Sequence, residues 1–206
     1  MALDTFSALK ASIAGWLNRS DLTTVIPDFI TLAEARFNRE IRSPEMETRA
    51  TAPAAGEYVA LPTGFLGMRS ICLDGSPDTP LDYFAPQHLK TIRAEGTAGS
   101  PRAYTIVDDQ ILLVPAPSAS PSVEMVYFAR LPALSDANAT NWLLTDHPDL
   151  YLAASLAAAE AYVWNDERLP MWRDTASAII ETINLAGDKK RRGSAPLVAR
   201  GMTAFS

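Results

Sequence analysis

Apolar positions recur every three or four residues at both ends of the chain and every second residue in between. Phe6, Leu9, Ile13, Trp16 and Leu17 predict a helix over about 4–18. Asn18-Arg19-Ser20-Asp21 breaks it. A second helix starts near Thr23 or Thr24, with Pro27 in its first turn, where no intrahelical N–H bond is lost. Phe29 or Ile30, then Ala33, Phe37 and Ile41, form its apolar face, and Glu34, Arg36, Asn38, Arg39, Glu40 and Arg42 its polar side. Arg36 and Glu40 lie four apart and can pair. Ser43-Pro44 closes the helix.

From Met46 the period changes to two. Met46, Thr48 and Ala50 alternate with Glu47, Arg49 and Thr51. Further strands are predicted over 57–61, 67–74 and 79–84, punctuated by Pro62-Thr63-Gly64 and Gly75. Pro86 opens a short helix over 86–93. Strands over 102–107 and 110–114 flank Asp108-Asp109, a tight hairpin turn. The run 123–130 is the last strong strand. Strands joined by short connections imply a meander or small sandwich rather than βαβ units.

Helical period then returns. Residues 131–147 read as loop, anchored by Trp142, Leu143 and Leu144. Asp146-His147-Pro148 starts an alanine-rich helix whose small side chains allow close approach. Asn165 to Pro170 turns the chain into a last helix with a stripe of Trp172, Ala176, Ile179, Ile183 and Ala186; Gly187 begins its end, and the helical pattern runs to Arg192. Helices from opposite ends of a chain bury their apolar faces by packing together. The reading is therefore α+β. A helical bundle over 1–44 and 131–192 carries an inserted antiparallel β module, 45–130, and an extended tail, 193–206.

Charge sharpens this layout. The chain has 206 residues, 48% hydrophobic, and a net charge of −6. Residues 1–42 are balanced, 43–147 carry −6, 148–188 carry −5, and 189–206 carry five basic and no acidic groups. An acidic body argues against broad phosphate binding. Lys189-Lys190-Arg191-Arg192 either caps the last helix against its dipole or, with Arg200 and Phe205 of the tail, docks a partner. Direct nucleic-acid binding is the weaker option, since no aromatic residues interleave the cations.

Catalytic patterns are sparse. His88 and His147 have no Ser or Cys nucleophile at a recognisable elbow, and two His with one Cys fall short of a zinc set. No Gly-rich phosphate loop opens a helix. Asp108-Asp109 could hold a cation, but its place between two apolar strands favours a plain turn. Cys72 reads as a small strand residue in the core. No cofactor or metal is expected. The start lacks a signal-peptide pattern, and no run of about 18 apolar residues suggests a membrane span.

The order of these devices resembles the head-to-tail adaptor family of short-tailed bacteriophages, also called tail tubular protein A or gatekeeper. Four places carry the resemblance: Pro27-Asp28-Phe29-Ile30 with Ala33-Glu34 and Arg39-Glu40-Ile41-Arg42; Leu61-Pro62-Thr63-Gly64-Phe65-Leu66; Gly99-Ser100-Pro101-Arg102-Ala103-Tyr104 with the hairpin into Leu112-Leu113-Val114-Pro115; and Asn141-Trp142-Leu143-Leu144 with Asn165-Asp166-Glu167 and Trp172. The resemblance implies a non-enzymatic virion protein at the head–tail interface, assembled in the host cytoplasm. It implies a twelve-subunit ring bound to the portal protein, which receives the next tail component (a nozzle or tail tube protein). Double-stranded DNA would pass through its channel without sequence-specific binding, and no membrane is involved. The alternatives are another connector component (a stopper or tail-completion ring), a small acidic-site hydrolase, and a host binding module with a regulated tail.

Overall fold

In the computed structural model the structure describes residues 3–75, 79–89, 99–164 and 167–192. The chain divides into two units, Met1–Glu45 with Leu131–Ser206, and Met46–Arg130.

The first unit is helical. Helix α1, Phe6–Leu17, is capped by Thr5, whose hydroxyl accepts from the Ala8 N–H at 3.2 Å. It buries Phe6, Leu9 and Ile13. Trp16, expected on that face, is instead half exposed. Helix α2 is Ile26–Glu40, with Pro27 in its first turn. It begins later than Thr23 or Thr24. Leu22 and Ile26 are both buried, and the turn that buries them delays the helix. It also ends two residues early, because Ile41 turns extended and its side chain enters the core. A short helix, α3 (Trp142–Asp146), replaces the expected loop. The Asn141 side chain caps it by accepting from the Leu144 N–H at 2.9 Å. Leu143 and Leu144 are fully buried, whereas Trp142 is half-buried.

Helix α4, Pro148–Tyr162, buries Leu150, Tyr151, Ala153, Ala154, Ser155, Leu156, Ala159 and Glu160. A helix apolar nearly all round belongs at a centre, and α4 packs against α1, α2 and the last helix. Helix α5, Leu169–Arg192, has 24 residues and spans about 36 Å at 1.5 Å per residue. Its buried stripe is Ala176, Ile180, Ile183 and Gly187, one residue away from the expected Ile179 and Ala186 line. Gly187 does not end the helix. A Cβ there would lie 2.9 Å from Pro44 Cδ and 3.4 Å from Ser43 Cα, so glycine permits a close approach and the helix runs on to Arg192.

Among its described residues the second unit is a β sandwich of two four-stranded sheets. Its strands are β1 Glu47–Pro53, β2 Tyr58–Ala60, β3 Phe65–Leu73, β4 Thr79–Pro80, β5 Asp82–Tyr83, β6 Ala103–Val107, β7 Gln110–Val114 and β8 Ser122–Ala129. One sheet runs β1-β8-β3-β4, the other β2-β7-β6-β5. Strand β8 alternates, turning Val123, Met125 and Tyr127 inward. These meet Ile71 and Leu73 of their own sheet and Val59, Tyr104, Ile111 and Leu113 of the other. Each such side chain contributes about 1.5–3 kcal/mol by leaving water.

The pairing is not purely antiparallel: β5 pairs parallel with β6, Asp82 opposite Ala103 and Tyr83 opposite Tyr104. The single strand expected over 79–84 is also split. Leu81 is buried at the crossing, with Thr79–Pro80 joined to β3 and Asp82–Tyr83 to the other sheet. Residues 86–89 are helical and Leu89 is buried against Ala103 and Val114. The rest of the predicted 86–93 helix lies outside the described residues.

Candidate functional site

The cationic run sits in the last turn of α5, where cations complement the helix dipole. The same end of α5 clamps the segment that follows α2. Asn184 bridges it: the Arg42 N–H donates to Asn184 Oδ1 at 2.8 Å, and Asn184 Nδ2 donates to Glu40 O at 2.9 Å. Arg191 donates to Arg42 O at 2.6 Å and pairs with Asp188 at 2.9 Å. Lys190 Nζ donates to Glu45 Oε1, and the Ser43 hydroxyl donates to Glu45 Oε2. Burial works to raise the Glu45 carboxyl, but the bonds from Lys190 and Ser43 outweigh it and hold it down at about 2. The four cations therefore divide. Lys190 and Arg191 bind this chain, while Lys189 and Arg192 face solvent. Arg200 and Phe205 lie outside the described residues.

A second clamp holds the returning segment. Glu34 was expected on the polar side of α2, yet it is only 5% exposed. Its Oε1 accepts from the Leu134 N–H at 2.8 Å and the Tyr151 hydroxyl at 3.0 Å. One turn on, Asn38 Oδ1 accepts from the Leu131 N–H at 2.8 Å. Burial pushes the Glu34 carboxyl up, and the two donors only partly oppose it. The same burial pushes the Tyr151 hydroxyl up. Side chains of α2 and α5 thus satisfy main-chain groups on both sides of the residues 46–130 insertion. The partners are 93 to 149 residues apart in sequence, so local spacing gives no sign of them.

The opposite end of the helical unit is aromatic and uncovered. Trp16 is 50% exposed, Tyr162 55%, Met171 51% and Trp164 88%. Trp16 meets Trp172 edge-on at 5.3 Å, and Tyr162 leans on Phe29 at 5.4 Å. Trp164 holds a left-handed backbone, φ +59, which is unusual for a bulky residue. The Trp172 indole N–H is buried with no acceptor among the described residues. Beside it, Arg168 pairs with the buried Glu160 at 3.3 Å. Aromatic, Met and Arg side chains at an uncovered site are the composition of protein interfaces. This cluster escapes helical-period reading, because its members come from the ends of three helices.

The remaining candidates do not converge. Asp108 and Asp109 both adopt left-handed φ, +48 and +57, in the two-residue turn between β6 and β7. His88 is exposed in the β unit, whereas His147 is half-buried between α3 and α4. Cys72 is half-buried on β3 rather than in the core. Among the described residues no group of three or more His, Cys, Asp or Glu could hold a metal ion, and no helix is long and apolar enough to cross a membrane. A cleft of about 490 Å³ opens on the β unit beside Leu61, Pro62 and Phe65, with Asp109 and Arg130 in its lining.

No curated protein matches the chain. Residues 4–200 match the family model described as SU10 adaptor protein. That match takes in the helices at both ends and every strand between them, and the chain belongs to the SU10 adaptor protein family, a family of structural bacteriophage adaptors.

Proposed function

We propose that this protein is a head-to-tail adaptor of the tail tubular protein A or gatekeeper kind. Copies form a ring, twelve-membered by resemblance, on the portal protein. The ring offers a seat for the next tail component, and double-stranded DNA threads its channel without base-specific contact. The observation that carries this reading is the uncovered aromatic end of the helical unit. Its four side chains together expose on the order of 500 Å² of largely apolar surface. A standard interface buries about 800 Å² per partner. The end therefore supplies most of an interface core, which suits a protein that acts by being covered. The exposed Lys189 and Arg192, with the tail beyond them, supply a second contact of opposite character. The acidic body fits a conduit that does not retain phosphates. Mixing the chain with portal-bearing heads and imaging them tests the reading: a ring seated on the portal supports it, and bare portals refute it.

A further inference from the structure

Among the described residues, strands β2 and β5 are the two outer strands of one sheet, and the β unit presents complementary features beside them. On the β5 side, Tyr83 is 60% and Phe84 36% exposed. Tyr83 is held edge-on against Tyr104 at 5.5 Å, so its ring is presented rather than loose. Asp82 is exposed beside it, with no ion-pair partner among the described residues. On the β2 side lies the 490 Å³ cleft, with Leu61, Pro62 and Phe65 as its apolar wall. Phe65 is fixed by stacking on Tyr127 at 5.8 Å. Arg130 lines the cleft and its backbone N–H is pinned to Gly64 O at 2.7 Å. Its guanidinium also has no ion-pair partner among the described residues.

We infer that the β5 edge of one copy enters the β2-side cleft of the next copy. Phe84 meets the apolar wall and Asp82, on the same face of the strand, pairs with Arg130, while Tyr83 on the other face closes over the rim, where its hydroxyl donates to Asp109. Charge complementarity selects this occupant. The cleft offers the Arg130 cation, which has no ion-pair partner among the described residues, and the Asp109 carboxylate as an acceptor; the β5 edge offers the Asp82 anion, likewise without an ion-pair partner among them, and two uncovered aromatic rings, one of which carries a hydroxyl to donate. Volume agrees, since clefts of about 300–1,000 Å³ hold ligands of a few rings. Topology agrees as well. A patch that matched itself would stop at a dimer, whereas two different patches on opposite edges repeat head to tail, the arrangement a ring requires. The inference rests on the ring reading proposed above and names one lateral contact within it.

Charge reversal tests it on the 206-residue chain assembled with portal-bearing heads. Asp82→Arg and Arg130→Asp each lower ring occupancy at least tenfold, and the double variant D82R/R130D restores it to within about threefold of the parent. A second measurement covers the case in which a reversal disturbs folding. With Cys72→Ser as background, Tyr83→Cys and Thr63→Cys together give an oxidative ladder of multimers, while either cysteine alone stops at dimers. Rings that form normally with both single reversals overturn this contact and leave the ring reading intact. A double reversal no better than the singles, with no ladder, also overturns it. If the parent chain forms no ring on heads, the ring reading fails and this contact fails with it.

Discussion

Gly187 and Pro44 touch so closely that a Cβ on Gly187 would lie 2.9 Å from the Pro44 ring. Pro44 has little freedom to yield, since Ser43 Cα stands 3.4 Å from the same point. In an open helix Gly→Ala stabilises by about 1 kcal/mol. Here overpacking of about 1–3 kcal/mol opposes that gain. Gly187→Ala should lower the thermal midpoint of the helical unit, followed by circular dichroism at 222 nm. A raised midpoint would contradict the close contact.

Glu34 provides a pH test. Its carboxyl is raised by burial, so the stability tied to its protonated form is full below the ordinary Glu value. That stability fades as pH rises through the raised one. Glu34→Gln keeps an acceptor for Leu134 and Tyr151 without the buried charge. Denaturant unfolding should show the parent losing stability against Glu34→Gln as pH climbs from acid to neutral. A gap that does not change with pH would show that burial of the charge is not the cause.

The cationic run should split by partner. Lys190→Ala removes the main donor that holds Glu45 at about 2. Its small destabilisation should be present above the ordinary Glu value and vanish as pH falls through about 2. Lys189→Ala with Arg192→Ala should cost no more than about 1 kcal/mol of stability through the helix dipole but weaken attachment to portal-bearing heads, and removal of 193–206 should weaken attachment likewise. Equal attachment by all three chains would remove the docking role from this end.

Trp164→Ser should separate assembly from folding. At 88% exposure the substitution should change stability by less than about 0.5 kcal/mol. As an interface anchor it should cost more than about 1 kcal/mol of binding, a roughly fivefold loss in pull-down with portal-bearing heads. Unchanged binding would mean that the aromatic end stays uncovered in the particle.

Periodicity carried much of this fold. The three-to-four spacing marks α1, α2, α4 and α5, and the shift to period two marks the sandwich strands. Fine register was less legible. Ile179 and Ile180 adjoin, so two stripes fit α5 equally well, and only packing selects Ile180. Gly187 carries a helix-end signal locally but serves close approach to Pro44, a partner far away in sequence. Glu34 has the same difficulty: an acid amid helix polar residues reads as surface until Leu134 and Tyr151 are brought to it. The 79–84 run reads as one strand because nothing local shows Leu81 crossing between sheets. The cationic run was visible at once. Its division into inward Lys190 and Arg191 and outward Lys189 and Arg192 needed the 42–45 segment in place.

Electron microscopy of portal-bearing heads incubated with the 206-residue chain, with native mass of the chain alone as reference, tests the adaptor reading most directly. A closed ring of copies seated on each portal is the expected result, even if the free chain is a monomer. Heads that stay bare at every ratio, beside a chain that remains monomeric, would contradict it.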